Sequence, residues 1–335
     1  MRASQATSVS ELAAAIGRGE RAALAEALNL LDDKRQAARD KSADLLAHLQ
    51  RSQSSLNGHL IGITGPPGAG KSTLSAALIR VWRQRSLRVG VLAVDPSSPI
   101  SGGALLGDRL RMQTNAADDG VFVRSLSSRG QFGGLSAEVW PMSLAMLAAF
   151  DIVLIETVGV GQREVDISQL CDTTCYVAQP GSGDSVQFLK AGILEVPHIL
   201  VVNKEDMGAV ARRTLAELDA ALNREHPDGH WQVPVLATSA ANGTGVEALA
   251  DVMAQHYQEL QSREKLVLRR RCYQAYWIHK RLQEEFGSFG IDQLGGEQKL
   301  LAELQSQDLN LLEQYESLRQ KLYKGGFDKY ERHTN

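Results

Sequence analysis

GITGPPGAGKSTLSAAL, residues 62–78, places a Gly- and Pro-rich turn between an apolar segment and a helix-forming one. Gly65, Gly70, Lys71 and Ser72 fit the pattern G-x-x-x-x-G-K-[ST]. Glycines allow backbone N–H groups to converge on phosphate oxygens, and the start of a helix adds its partial positive charge. A lysine at position 71 reaches β- and γ-phosphates, and a hydroxyl at position 72 suits Mg²⁺. The expected phosphate-binding set is Gly65, Pro66, Pro67, Gly68, Ala69 and Gly70, with Lys71, Ser72 and Thr73. The preceding HLIGIT reads as a strand and the following KSTLSAALIRVWRQRS as an amphipathic helix, the setting in which this motif carries meaning. The loop is therefore read as the site of a nucleoside triphosphate.

Working outward, the same strand–turn–helix rhythm continues. HLIGIT, RVGVLAVD, VFVRSL, DIVLIET, TCYVAQ, HILVVNK and PVLATSA are near-continuous apolar runs, each closed by a turn. Such runs are expected of strands buried on both faces of a parallel sheet. Helical patterns separate most of them. The fold class is thus α/β, a doubly wound and mostly parallel sheet with ligands at the carboxyl ends of its strands. Residues 1–55 read as an N-terminal helical segment, 56–250 as the nucleotide-binding domain, and 251–335 as a C-terminal helical arm. Within that arm, 247–285 and 297–323 carry helical periodicity, interrupted at FGSFGIDQLGGE, and are expected to pack on the sheet or on a second subunit.

Composition excludes several classes. The 335 residues are 43% apolar and 22% charged with a net charge of −3, an ordinary globular balance that argues against phosphate-backbone binding of nucleic acid. No apolar run approaches about 18 residues and the N-terminal stretch lacks a signal-like apolar core, so no membrane span and a cytoplasmic location are expected. Three cysteines are too few for a disulfide framework, and C-x-x-x-C at Cys171 and Cys175 lacks further Cys or His for a metal. These two read as reduced, partly buried thiols. LRRRCYQAYWIHKRL is basic and aromatic, but Leu268, Tyr276 and Leu282 fall at helical spacing and read as facing a core or an interface.

ATP and GTP look alike to the phosphate loop, so the base must be read elsewhere. Asn203, Lys204 and Asp206 in HILVVNKED match N-K-x-D, the guanine-reading signature of GTPases. A carboxylate at Asp206 accepts from guanine's ring N–H and its exocyclic amine together, whereas adenine offers a lone pair at that edge. A buried polar group left without its partner rejects such an analogue by a large factor. The aliphatic stem of Lys204 is suited to covering the base plane. Downstream, Ser239, Ala240 and Ala241 in ATSAANGTG resemble the element whose backbone contacts the guanine carbonyl. Three motifs in this order favour GTP.

Asp95 closes one apolar run and Glu156 another, directly before TVGVGQ, and Mg²⁺ needs one or two such carboxylates beside phosphate oxygens. Glu156 to Gly159 stands where many GTPases carry D-x-x-G. Gln162 is a candidate for orienting the attacking water, although its spacing from Gly159 differs from that in small GTPases. No basic residue is assigned as a catalytic finger, so slow intrinsic turnover is expected where a partner completes the site.

GPPGAGKST, VDPSSP, GGALLGDRLRM, ETVGVGQ and NKED together resemble the MeaB/ArgK family of P-loop GTPases along most of the chain. The resemblance implies GTP hydrolysis coupled to chaperoning of adenosylcobalamin-dependent methylmalonyl-CoA mutase, with Mg²⁺ as cofactor and a homodimer built through the C-terminal arm. It implies metal ligation by Asp95, Asp108 and Glu156, a responsive loop at 127–136, and a switch-like segment in GSGDSVQFLKAG whose polar candidates are Asp184, Gln187 and Lys190. Arg163 departs from the family pattern, which has a small hydroxyl residue after Gln162. Two other readings compete: a metal-delivery GTPase, which usually carries His- or Cys-rich elements, and the family's older label of a transport-linked kinase or ATPase for lysine, arginine and ornithine.

Overall fold

The computed structural model describes residues 8–33, 35–51, 57–95, 118–127, 138–157, 167, 170–182, 197–222, 231–262, 265–306 and 310–331. The backbone resolves into two compact units. One comprises Gly58–Val139 and Phe150–Glu264; the other comprises Met1–Asn57, Trp140–Ala149 and Lys265–Asn335.

The first unit is built on a sheet of seven parallel strands: β1 (His59–Thr64), β2 (Val89–Asp95), β3 (Val121–Ser127), β4 (Ile152–Thr157), β5 (Thr173–Ala178), β6 (Ile199–Val202) and β7 (Val235–Ala237). Their order across the sheet is β3-β2-β4-β1-β5-β6-β7, every neighbouring pair parallel. All residues of β1, β4, β5 and β6 are buried, which is why these strands read as unbroken apolar runs. From β1 the chain crosses towards β2 on one side, while from β5 it continues to β6 on the other. The divergence opens a crevice at the carboxyl ends of β1 and β5, where an α/β sheet receives its ligand.

Three helices flank this sheet among the described residues. In chain order with those of the second unit they are α4 (Lys71–Gln84), α6 (Ala209–Ala221) and α7 (Val246–Ser262). Leu74, Ala77, Leu78, Val81 and Trp82 of α4 pack in one core with Val89, Val91 and Ala93 of β2 and with Val246, Leu249, Ala250 and Met253 of α7. Arg85 and Asp251 close the same contact with an ion pair of 2.7 Å. On β5 and β6, Tyr176, Ala178, Leu200 and Val202 pack against Ala211 and Leu218 of α6.

The amino ends of the central strands β1 and β5 are bolted by buried polar groups. His59 Nε2 and His256 Nδ1 lie 2.6 and 2.7 Å from Thr173 Oγ1. A hydroxyl carries one proton, so at least one of the two rings donates to Thr173. Tyr257 stacks on His59 at 4.3 Å between centroids and donates to the Gly58 carbonyl at 3.1 Å. The lower end of α7 is thereby tied to the starts of β1 and β5. Cys171 and Cys175 are wholly buried rather than partly so, and burial pushes both thiols well above their ordinary value, which leaves them inert.

The second unit is helical: α1 (Val9–Gly17), α2 (Arg21–Asp32), α3 (Gln36–Arg51), α5 (Val139–Leu147, counted from Trp140), α8 (Lys265–Gln293), α9 (Glu297–Ser306) and α10 (Leu311–Glu331). Ser8 starts α1 with a capping box: its Oγ accepts from Glu11 N–H at 3.2 Å while Glu11 Oε2 accepts from Ser8 N–H at 2.9 Å. The expected helix over 247–285 is divided between α7 and α8, and that over 297–323 between α9 and α10. The expected interruption falls inside α8 at Gly287, which has φ 65°. Leu282 is buried, whereas Leu268 is 61% exposed. Glu285 joins α8 to α10: its carboxylate accepts from Tyr315 Oη, from Arg319 Nε at 2.7 Å and from Tyr323 Oη at 3.1 Å. Burial alone would raise this carboxyl, but the bonds from Tyr315 and Arg319 outweigh it and hold the group below its ordinary value. No described helix is long and apolar enough to cross a membrane.

Candidate functional site

The phosphate loop runs from the end of β1 to the first turn of α4, and two of its glycines are required by geometry. Gly65 has φ 140°, and a Cβ there would sit 2.2 Å from the Val177 carbonyl oxygen of β5. Gly70 has φ 89° and caps α4 in the left-handed region; a Cβ there would meet Asn203 Nδ2 at 2.5 Å. The chain can turn over the β1–β5 crevice only where no side chain intervenes. Ala69 is buried beneath the turn and Lys71 is 7% exposed, its Nζ donating to the carbonyls of Gly65 at 2.8 Å and Pro66 at 3.0 Å. The ammonium is folded back across the loop it must serve. Ser72 and Thr73 follow in the first turn of α4, with Pro66, Pro67 and Gly68 forming the crest before it.

The base-reading motif is clasped onto this loop. Asn203, 2% exposed at the end of β6, donates Nδ2–H to the Ala69 carbonyl at 3.0 Å. Its Oδ1 accepts from Thr238 Oγ1 at 3.2 Å and from Ala240 N–H at 3.1 Å. One carboxamide therefore joins the phosphate loop to the segment that follows β7. Lys204 adopts φ 62° and donates Nζ–H to the Gly68 carbonyl at 2.7 Å. Asp206 Oδ1 accepts from Ser239 Oγ at 2.6 Å, which fixes the carboxylate's orientation from the facing loop. Glu205 N–H donates to the Thr238 carbonyl at 2.9 Å, so N-K-E-D and T-S-A-A form one rigid corner. Ala241 lies at the exposed rim of that corner.

Glu156 is the last residue but one of β4, beside β1 and in register with Ile63, and is 3% exposed. Thr157 and Thr64, also buried, pair their hydroxyls at 3.4 Å beneath the loop. Asp95 ends β2, the strand on the other side of β4, but its side chain lies outside the described set. Asp108, Gln162, Arg163, Asp184, Gln187 and Lys190 also lie outside the described residues. Among the described residues no group of three or more His, Cys, Asp or Glu gathers as for a metal. Ser72 and Glu156 are hard oxygen donors on adjoining elements, a donor set suited to Mg²⁺ that completes its shell with phosphate oxygens and water.

Two features of this site carried no signal in the reading of the motifs. The Thr238 hydroxyl serves Asn203 across a separation of 35 residues, and Gln179 stands beside Gly68 from the end of β5.

A family model described as "Methylmalonyl Co-A mutase-associated GTPase MeaB" matches residues 24–289. The chain belongs to the MeaB family. Among relatives, a Pyrococcus horikoshii chain named as a GTPase is 42% identical over 268 residues, covering 78% of this chain and 82% of its own length. GTPase ArgK of Escherichia coli is 34% identical, covering 80% of this chain and 81% of its own. The mitochondrial methylmalonic aciduria type A homolog of Mus musculus is 33% identical over 82% of this chain and 69% of its own. A crystal structure titled "LAO/AO transport system kinase" superposes with a TM-score of 0.69 at 26% identity, covering 96% of this chain and all of that one. This MeaB-family chain is a P-loop GTPase that binds GTP and GDP and hydrolyses GTP.

Proposed function

We propose that the chain is a GTP-driven switch that binds an adenosylcobalamin-dependent methylmalonyl-CoA mutase and couples hydrolysis to loading and protection of the mutase's cofactor. The observation that carries the reading is the clasp of Asn203 on Ala69 and Lys204 on Gly68, within a chain matched over residues 24–289 to a mutase-associated family. In this reading the backbone N–H groups of the Gly65–Thr73 loop, Pro66 and Pro67 excepted, hold the phosphates and Lys71 turns from the loop carbonyls to the β- and γ-phosphates. Asp206 reads guanine's N–H edge, Lys204 covers the ring, and the Ser239–Ala241 backbone lines its carbonyl edge.

Ser72, Asp95, Asp108 and Glu156 hold Mg²⁺, which when bound neutralises charge on the phosphates. Gln162 orients water, while Gln187 and Lys190 belong to the segment that senses the nucleotide and the mutase. The N-terminal helical segment 1–55, the nucleotide domain 56–250 and the dimerising arm 251–335 make a cytoplasmic homodimer. A switch works only where the client binds the GTP and GDP states with different affinity.

Steady-state phosphate release with increasing mutase tests this: slow basal turnover that rises with mutase is expected, and a flat rate over a full titration overturns it. The transport-kinase title of the matched structure favours one other reading, for which transfer of labelled γ-phosphate to a periplasmic binding protein is the expected result.

A further inference from the structure

At the end of the sheet opposite the phosphate loop, aromatic rings join the entries of four neighbouring strands. His59 opens β1, Thr173 and Thr174 open β5, His198 stands directly before β6, and Trp231 lies ahead of β7. His256 of α7 packs among them, its ring centroid 4.5 Å from that of His198 and 4.7 Å from that of Trp231. Trp231 Nε1–H donates to the His198 carbonyl at 2.7 Å. His198 is itself bound to β5 twice. Its backbone N–H donates to the Thr174 carbonyl at 2.9 Å, and its ring Nδ1 accepts from Thr174 N–H at 2.9 Å. Thr174 and His256 are both buried.

The bond from Thr174 fixes the protonation of the ring. An imidazole nitrogen that accepts carries no proton, so His198 is neutral, with its proton on Nε2. Protonation would set an Nδ1–H against the Thr174 N–H and place a cation 4.5 Å from the His256 ring. The rings on Thr173 differ, because a hydroxyl oxygen can accept from both His59 Nε2 and His256 Nδ1, and a charge there breaks no such bond. The titratable groups on the adjoining elements are His59 of β1, Asp172 before β5, Asp219 late in α6, and His256, Tyr257 and Glu259 of α7. The three carboxylates favour a nearby imidazolium, but Thr174 N–H would be left facing a donor whatever their charge. We propose that His198 is an acid-sensitive latch: neutral, it holds the entry of β6 to β5 and against α7, and protonated, it releases that entry.

The unfolded chain takes up this proton at the ordinary histidine value of about 6.5, and the native chain resists it. The latch therefore stabilises fully above that pH and is lost as pH falls below it. The test is urea unfolding of the full nucleotide-free chain from pH 7.5 to 5.5, wild type against His198→Asn. Asparagine offers a carbonyl oxygen in place of Nδ1 and cannot be charged. A proton taken up only by the unfolded chain predicts that this acidification raises the unfolding constant about tenfold more in wild type than in the variant. The other histidines act in both proteins, so the difference isolates His198. Exchange of the Thr174 amide, corrected for its intrinsic pH dependence, should accelerate over the same range in wild type. Should the variant fail to fold, ¹⁵N NMR of the wild-type ring decides alone, with Nδ1 bare at pH 7.5 and the ring still neutral where free histidine is charged. Equal pH profiles of the two proteins, an Nδ1-protonated tautomer, or titration of the ring as in free histidine overturns the proposal.

Discussion

Replacing Asn203 by alanine removes the carboxamide that bonds both the phosphate loop and the T-S-A-A segment. The Ala69 carbonyl, the Thr238 hydroxyl and the Ala240 N–H lose their partner at 3.0, 3.2 and 3.1 Å respectively, and Thr238 is fully buried. A buried polar group left unsatisfied costs about 1–3 kcal/mol, and a water entering the vacated space recovers part of that. At about 1 kcal/mol each, the three groups predict a loss of about 3 kcal/mol, a large fraction of the ~5–15 kcal/mol that holds a domain folded.

Urea unfolding should show a lowered midpoint with an unchanged slope, and amide exchange at Ala240 should accelerate selectively. GTP affinity should fall at least about tenfold, because both halves of the site lose their mutual register. Asn203→Asp separates the contributions. It keeps the acceptor for Thr238 and Ala240 but sets an oxygen against the Ala69 carbonyl, so it should be damaging as well. A loss below about 1 kcal/mol in Asn203→Ala, or near-wild-type behaviour of Asn203→Asp, would refute the reasoning.

Other changes test separate links. Gly65→Ala combines φ 140° with a Cβ 2.2 Å from the Val177 carbonyl oxygen, so the loop must move; GTP binding measured by calorimetry should be lost while circular dichroism shows the sheet retained. Thr173→Val removes the hydroxyl shared by His59 and His256, and the denaturation midpoint should fall by the equivalent of about 1–3 kcal/mol, with amide exchange fastest at the lower end of α7. The Glu285 carboxyl lies below its ordinary value, so its contribution is complete above the unfolded carboxylate range and is lost as pH falls through its folded value. Melting temperature from pH 7 downward should therefore drop at the acid end, and Glu285→Gln should flatten that limb while lowering the neutral plateau.

The seven strands were legible because each is a short apolar run, and in β1, β4, β5 and β6 that run follows from burial on both faces. The α8 break was legible because Gly287 permits a positive φ that few other residues tolerate. The division between α9 and α10 was not, since helical periodicity continues across a stretch without Gly or Pro; the remaining cue is Asn310, whose Oδ1 caps Leu312 N–H at 2.9 Å. At the site, the phosphate loop and N-K-E-D were legible as local strings. That Asn203 bridges Ala69 to Thr238 and Ala240 depends on β6 lying beside both β5 and β7, and Gln179 reaches Gly68 because β5 lies beside β1. Strand order is a property of packing, and no local pattern encodes it.

The most direct measurement is calorimetric titration of wild type and Asp206→Asn with the Mg²⁺ complexes of GTP, ATP and xanthosine triphosphate. A carboxylate that reads the N–H edge predicts GTP bound far more tightly than ATP by wild type, and a preference moved from GTP to xanthosine triphosphate in the variant. Equal affinity of wild type for GTP and ATP, or equal losses of GTP and xanthosine triphosphate on substitution, would contradict the account.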